Sequence, residues 1–410
     1  MRPCTKLSNF VCLLIYKESL KLGRITQFIQ DSGEGKYTCF KTKKLSLDTY
    51  VSDTITYDDK SASKSKKSNF AETDDRRIHT IRIKENLLKV NNPIFSFFLD
   101  GSRHVYKIDD IAIGKRIFPF LAGQIIVGCC HRKNRDTFHK YSLSHQLVLS
   151  LPIDFNTDDD PNFRNYYLKL VNDEIKQLKF VSERKLSFSN LLLYKTDGGD
   201  VNESDKDKFR SRAIAVIQSE MTDEEQRLVA KLCANNLLDD ENFLLKDGSI
   251  EYNPRFSNLS DSEWNLMRSN YQHVIGVSKS FDPDLLPNFE GYRLSRTICE
   301  LKPFERTKAY RYNSEHSGRE FAVWYIRIRN SNFRETNFSD VVKCEMVIPN
   351  EGDYISTELI DTISANIIRE AYPVCFGKDS RWANHLYPVY LTETFCKSNY
   401  LNDDIFLNLF

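Results

Sequence analysis

Short apolar runs separated by brief polar turns fill the chain from about residue 93 to residue 151. Because the runs have the length of strands and the turns between them are short, the pattern predicts an antiparallel meander. The predicted strands of this region are residues 94–99, 105–113, 124–130 and 147–151. Further strands are predicted for the run that ends at Asp247 and for residues 273–278, 321–329 and 341–348.

A helical spacing of apolar residues marks other parts of the chain. The predicted helices cover roughly residues 167–180, 208–236, 260–270 and 356–371. The second of these helices could break near Met221, because Thr222 and Glu225 have the spacing of an N-cap and its capping-box partner.

Composition divides the chain into three parts. Residues 1–57 show no clear period and are interpreted as an N-terminal extension. Residues 58–90 begin with a stretch up to residue 77 that is rich in Ser, Lys and Asp, which predicts a flexible linker. Residues 91–410 form the main domain, with an insertion at about 154–207 whose ends are rich in Asp, Asn and Gly.

Charge and cysteine usage narrow the class of protein. The 58 Lys and Arg residues nearly cancel the 57 Asp and Glu residues, so any basic groove for nucleic acid must be local. The ten Cys residues are scattered and form no Cys-x-x-Cys pair, which is typical of a reducing compartment. The apolar run at residues 11–16 is too short for a signal-peptide core or a membrane span. We therefore expect a cytoplasmic protein with no membrane partner.

Two similar segments, each an apolar run followed by Asp-Gly-Ser, are the strongest indication of function. One run ends at Asp100 and the other at Asp247, and in each the glycine is expected to allow a sharp turn at the end of a strand. Either segment alone would be an ordinary turn. If the strands are neighbours, however, two buried carboxylates repel each other unless a cation is shared between them. An all-oxygen site of this kind suits Mg²⁺ or Mn²⁺.

Glu225 and Lys279 are further candidates for the site. Glu225 shares a helical face with Met221 and Val229, so it is predicted to point toward the sheet as a third acid, although a capping role would also explain it. Lys279 follows the predicted strand at 273–278, where it could hold a substrate phosphate or neutralise the scissile group. A lysine that extends from the sheet edge into solvent is the alternative.

In their order along the chain, these motifs resemble the NurA nuclease family. The matching segments cover roughly residues 90–410 and are Phe-Phe-Leu-Asp100-Gly-Ser, the helix with Glu225, Leu-Leu-Lys-Asp247-Gly-Ser-Ile, Val-Ile-Gly-Val-Ser-Lys279 and Tyr387-Pro388-Val-Tyr-Leu391.

The resemblance implies an α/β fold of the ribonuclease H-like type, related to the PIWI core, with a mixed sheet flanked by helices. It also implies a nuclease site that depends on Mn²⁺ or Mg²⁺, in which Asp100, Asp247 and Glu225 bind metal and Lys279 assists. NurA nucleases cut single-stranded DNA as endonucleases and degrade DNA as 5′ to 3′ exonucleases, typically as dimers with the hexameric ATPase HerA. We therefore expect a homodimeric DNA nuclease with a HerA-like ATPase partner, acting in DNA repair, in end processing or in antiviral defence.

The chain departs from the family just after the Tyr-Pro-x-x-Leu segment. There the family usually has a histidine or another polar ligand, whereas this chain has Phe395. Glu393 is expected to supply the fourth metal ligand, and His385 is the alternative.

Three other interpretations stay open. A catalytically degenerate module of the same fold would bind nucleic acid or scaffold an ATPase, and the departure at Phe395 favours it. A PIWI-type guide-dependent domain shares the Asp-Gly strand motif, but the sequence shows no recognisable pocket for a guide 5′-phosphate. Carbohydrate-active enzymes also use paired carboxylates, but the chain has only three Trp residues, so this class fits poorly.

Overall fold

The computed structural model describes most of the predicted main domain and parts of the segments before it. The described residues are 23–47, 69–74, 76–80, 93–134, 137–156, 162–197, 205–252, 260–283, 286, 288–289, 292–314, 317–330, 336–375 and 382–410. The predicted linker at 58–90 lies outside them, except for residues 69–74 and 76–80.

Twelve strands of the described chain form one mixed sheet, and two more form a separate small ladder, β9 with β10. In chain order the strands are β1 (Tyr37–Ser46), β2 (Ile78–Thr80), β3 (Phe95–Ile113), β4 (Arg116–Arg132), β5 (Phe138–Pro152), β6 (Phe188–Tyr194), β7 (Phe243–Asp247), β8 (Val274–Ser278), β9 (Asn288–Phe289), β10 (Tyr292–Arg293), β11 (Glu305–Thr307), β12 (Tyr310–Asn313), β13 (Glu320–Arg327) and β14 (Val341–Val347).

Helices cover both faces of this sheet. Those in the described residues are α1 (Arg24–Ser32), α2 (Phe163–Ile175), α3 (Lys179–Arg184), α4 (Asp205–Ala234), α5 (Asp261–Asn270), α6 (Leu294–Glu300), α7 (Thr357–Glu370), α8 (Tyr387–Ser398) and α9 (Asp403–Leu407). None of them is long and apolar enough to cross a membrane.

The centre of the sheet has the strand order β5-β4-β3-β7-β8. The first three strands are an antiparallel meander, whereas β3, β7 and β8 run parallel to one another. Helix α4 precedes β7 in the chain and packs on the meander. This is the ribonuclease H-like arrangement, so the predicted fold class is confirmed.

The first Asp-Gly-Ser segment does not end a strand, and that prediction was wrong. Strand β3 continues through Asp100 and Gly101 to Ile113, because β4 pairs with it along its whole length and Gly101 itself lies opposite Val127. The second segment does end a strand as predicted, since β7 stops at Asp247 and Gly248 has a φ of +82°. The two copies of the motif therefore have different backbones.

The predicted break in the long helix was also wrong. Helix α4 is continuous, and the Thr222 hydroxyl donates a hydrogen bond to the Gln218 carbonyl within the helix instead of capping a new one. The uninterrupted apolar face, with Ile217, Met221 and Val229, packs against the sheet in one buried cluster. Tertiary packing therefore outweighs the local capping signal.

The segments outside the central strands also join the sheet. Strand β1, from the predicted N-terminal extension, pairs with the distal half of β3. Strand β6, from the predicted insertion, pairs in parallel with β5. Together with helices α1, α2 and α9, they cover a second buried cluster around the distal half of the meander.

Candidate active site

Four carboxylates and a lysine from five different elements converge at the end of β7. Because Leu99 of β3 pairs in parallel with Lys246 of β7, the next residues, Asp100 and Asp247, lie side by side. Lys279 follows β8, the next strand of the sheet. The remaining two acids come from helices, with Glu225 on α4 and Glu393 on α8.

Lys279 lies between two of the acids. Its Nζ is 2.8 Å from Asp247 Oδ2 and 3.3 Å from Glu393 Oε2. Although burial opposes the charged form, the carboxylates of Asp247, Glu393 and Asp100 outweigh this effect and raise the pKa of Lys279 well above its usual value. The lysine is buried, with 4% of its surface exposed, and does not extend into solvent as the alternative interpretation expected.

Asp100 is the least satisfied acid of the group. It is 5% exposed, and its carboxylate accepts no hydrogen bond from any residue that the structure describes. Burial, together with the negative charge of Asp247, raises the pKa of Asp100 well above its usual value. A buried acid of this kind is stabilised by a proton or by a bound cation.

Glu225 points to the same edge, as predicted, and has a partner that the sequence interpretation missed. Its Oε2 lies 2.8 Å from Nζ of Lys246, and both side chains are buried. Burial raises the pKa of Glu225 despite the opposing charge of Lys246. The sequence contains a signal for this pair, because Lys246 stands inside an apolar strand run where a charge needs a partner.

Gly101 makes room for Glu225. A Cβ added to Gly101 would lie 2.2 Å from Glu225 Oε1 and 3.2 Å from Met221 Cγ. The glycine of this Asp-Gly pair is therefore required by the close approach of a helix side chain, since the backbone at this position is an ordinary paired strand.

Gly101→Ala is expected to destabilise the chain by about 1–3 kcal/mol through overpacking and to displace the Glu225 carboxylate. Thermal unfolding measures the first effect, and the nuclease assay described below measures the second. Glu225→Ala by itself should be destabilising because it leaves buried Lys246 without its counter-charge, but adding Gly101→Ala to it should cost less than in the wild type because the clash is absent. A Gly101→Ala chain with unchanged stability and cleavage would contradict this role for the glycine.

Helix α8 brings Glu393 to the site and turns Phe395 and Cys396 toward the sheet. At Gly128 of β4, a Cβ would lie 2.5 Å from Cys396 Sγ and 3.7 Å from Phe395 Cδ1. Phe395 thus packs near β4, in keeping with its lack of ligand atoms.

Burial by itself would raise the pKa of Glu393, but the charges of Lys279 and Lys397 lower it to about 2. His385, the alternative ligand, has Nδ1 4.0 Å from Glu393 Oε2.

Carboxylate oxygens are the ligand type that Mg²⁺ and Mn²⁺ prefer, so the four acids fit such an ion chemically. In the described residues, no group of three or more Asp, Glu, His or Cys side chains stands ready to hold a metal ion. The two lysines explain this, because Lys279 bridges Asp247 and Glu393 while Lys246 holds Glu225. An ion that joined the acids would take over the charge neutralisation that Lys279 now provides.

Comparison with known proteins finds a weak structural relationship. No protein-family model matches the chain, and no curated protein sequence matches it. Among solved structures, the crystal structure of the NurA nuclease from Sulfolobus solfataricus is similar to it, with 12% sequence identity and a TM-score of 0.35. The match covers 73% of this chain and 78% of that chain. A likeness of this size assigns neither a family nor an activity.

Proposed function

We propose that this chain is a metal-dependent nuclease that hydrolyses phosphodiester bonds in DNA. The observation that carries the proposal is the convergence of Asp100, Asp247, Glu225 and Glu393 at one edge of the central sheet. Folding alone gives no reason to bury Asp100 beside Asp247 without a hydrogen-bond donor. A site that binds a cation and a phosphodiester would explain why Asp100 is buried beside Asp247.

Asp100 and Asp247 would hold the ion, with Glu225 and Glu393 as further ligands. A bound Mn²⁺ or Mg²⁺ would supply an activated water and stabilise negative charge on the phosphate. Lys279 neutralises Asp247 and Glu393 in the present structure, and its ammonium lies where it can donate hydrogen bonds to a phosphate oxygen. The low exposure of Asp100 and Lys279 limits the access of bulk water and strengthens these charge interactions.

The finer parts of the proposal rest on the sequence resemblance. They are single-strand endonuclease or 5′ to 3′ exonuclease activity, a homodimer, and a HerA-like ATPase partner in DNA end processing or antiviral defence. The charge interactions at the site are compatible with each of these activities and are not an argument for any one of them.

A catalytically degenerate module is the second candidate, and one observation favours it. Lys279 and Lys246 already form ion pairs with three of the four acids, so the fold can hold these acids together without a metal ion. Such a module would bind nucleic acid or scaffold an ATPase without cutting.

Incubation of the purified chain with end-labelled single-stranded DNA separates the two candidates. The nuclease proposal expects cleavage with Mn²⁺ or Mg²⁺ and none with EDTA, because the bound ion would supply the activated water. Addition of excess Mn²⁺ to the EDTA sample should restore cleavage. If neither ion supports cleavage, with or without a HerA-like ATPase, the degenerate module is the correct description.

A further inference from the structure

Arg329 is a buried cation that forms no ion pair with a described residue, and it lies at the same edge of the sheet as the carboxylates. It follows strand β13, whose end pairs with the start of β14, and β14 in turn lies beside the end of β8 and Lys279. Asn384 connects these segments, since its side-chain amide donates hydrogen bonds to the carbonyls of Lys279 and Val341.

The guanidinium of Arg329 uses only part of its hydrogen-bonding capacity. Nη2 donates to the carbonyl of His385, whereas Nε and Nη1 are buried and bond to nothing in the described structure. Arg329 is 3% exposed and makes no ion pair with a described carboxylate, although the charge of Asp340 acts on it. A buried guanidinium with two unused donors is costly to fold, so it calls for an acceptor that the described residues do not supply.

A thiol connects this arginine electrostatically with the candidate active site. The charges of Arg329, Lys279 and Glu393 all act on the Cys375 thiol, so this thiol lies near all three side chains. In addition, His385, whose carbonyl binds Arg329, lies next to Glu393. An anion held by Arg329 would therefore be a near neighbour of a group bound at the carboxylates.

An exposed aromatic ring lies over the same guanidinium. The ring centroid of Tyr372 is 5.5 Å from the Arg329 guanidinium carbon, and Tyr372 is 48% exposed. Exposed tyrosines commonly stack on the bases of single-stranded nucleic acids, and arginines bind the phosphates between them. Tyr372 and Arg329 therefore combine the two groups that a nucleotide unit requires.

We propose that Arg329 and Tyr372 form a nucleotide-binding subsite beside the carboxylates, which positions a single-stranded nucleic acid for cleavage. Nε and Nη1 of Arg329 donate to a backbone phosphate, and the outer face of Tyr372 stacks on the adjoining base. The subsite deepens the nuclease proposal and rests on it for the identity of the substrate. Arg329 and Tyr372 are positioning residues, and the acids remain the reacting groups.

Binding of fluorescent single-stranded DNA and RNA of one sequence, measured by anisotropy over a range of salt, tests the subsite. The full chain with Asp100→Asn prevents cleavage during the measurement. Tyr372→Ala is expected to weaken binding about tenfold through lost stacking, and Tyr372→Phe should bind like the parent. Arg329→Gln should reduce the slope of log K against log salt by about 0.7, which is the loss of one single-strand phosphate contact. If only DNA or only RNA shows these losses of binding, that nucleic acid is the ligand of the subsite.

A matched control comes from the opposite edge of the sheet. Tyr354 is 64% exposed and lies over Arg311 at the same 5.5 Å, but far from the carboxylates, so Tyr354→Ala should leave binding unchanged. Equal binding by the Tyr372→Ala chain and its parent would overturn the subsite, even if Arg329→Gln fails to fold. A parent that binds no strand would overturn it too. If Tyr372→Ala weakens binding but the wild-type chain never cleaves, the nuclease proposal fails and the subsite stands as a binding site alone.

Discussion

Asp100→Asn is expected to abolish cleavage and to leave the chain at least as stable as the wild type. Loss of a charged ligand at the reacting phosphate should reduce the rate by about 1,000-fold, which corresponds to about 4 kcal/mol of transition-state stabilisation. Stability should rise by about 1 kcal/mol, because the neutral amide removes the repulsion between buried Asp100 and Asp247. Single-turnover cleavage and urea unfolding measure the two effects on the same preparation.

A second buried aspartate on the same strand provides the matched control. Asp109 also lies in β3 and is fully buried, but its carboxylate accepts hydrogen bonds from Thr26 Oγ1 and the Thr42 amide at 2.7 and 2.9 Å. Asp109→Asn should therefore cost about 1 kcal/mol of stability and leave cleavage intact. If both substitutions lower stability and neither affects cleavage, Asp100 is a structural residue and the candidate site is misplaced.

Lys279→Met is expected to cause the largest loss of stability, about 3 kcal/mol, because it removes the buried lysine that pairs with the partly buried carboxylates of Asp247 and Glu393. A divalent ion should then restore part of this loss. If the four acids bind Mg²⁺ or Mn²⁺, saturation at 100 times the dissociation constant should add about 2.7 kcal/mol. Thermal unfolding at increasing ion concentration measures both the loss and its recovery, independently of any cleavage.

Lys397 is the control for this experiment because it pairs with the same acid. Its Nζ is 2.6 Å from Glu393 Oε1, but its side chain is 58% exposed. Water screens that pair, so Lys397→Met should cost less than about 1 kcal/mol, and its unfolding should respond to ions like that of the wild type. A Lys279→Met chain whose stability does not respond to either ion would show that the acids do not bind metal.

The sequence-based predictions succeeded where local pattern decides structure. The end of β7 at Asp247 coincides with a glycine of positive φ, and the orientation of Glu225 follows from the helical period that it shares with Met221 and Val229. The central strands, their meander and the strand that ends at Asp247 were likewise expected from their apolar runs. Each of these features depends on residues a few positions apart in the chain.

The remaining features depend on residues far apart in the chain. The local pattern either did not predict them or predicted them wrongly. Asp100 lies inside a strand instead of at its end, because β4 pairs with β3 well beyond it. The pairing of Lys246 with Glu225, and of Lys279 with Glu393, joins strands to helices that no short-range period connects.

The sequence alone was therefore sufficient to choose the acids and the order of the elements that bear them, because strand and helix periods are local. How those acids are neutralised, why Gly101 must lack a side chain and where Arg329 lies became visible only in the folded chain. The physical reason is that burial and charge pairing are properties of side chains that meet across the sheet, and the register of that sheet is set by long-range strand pairing.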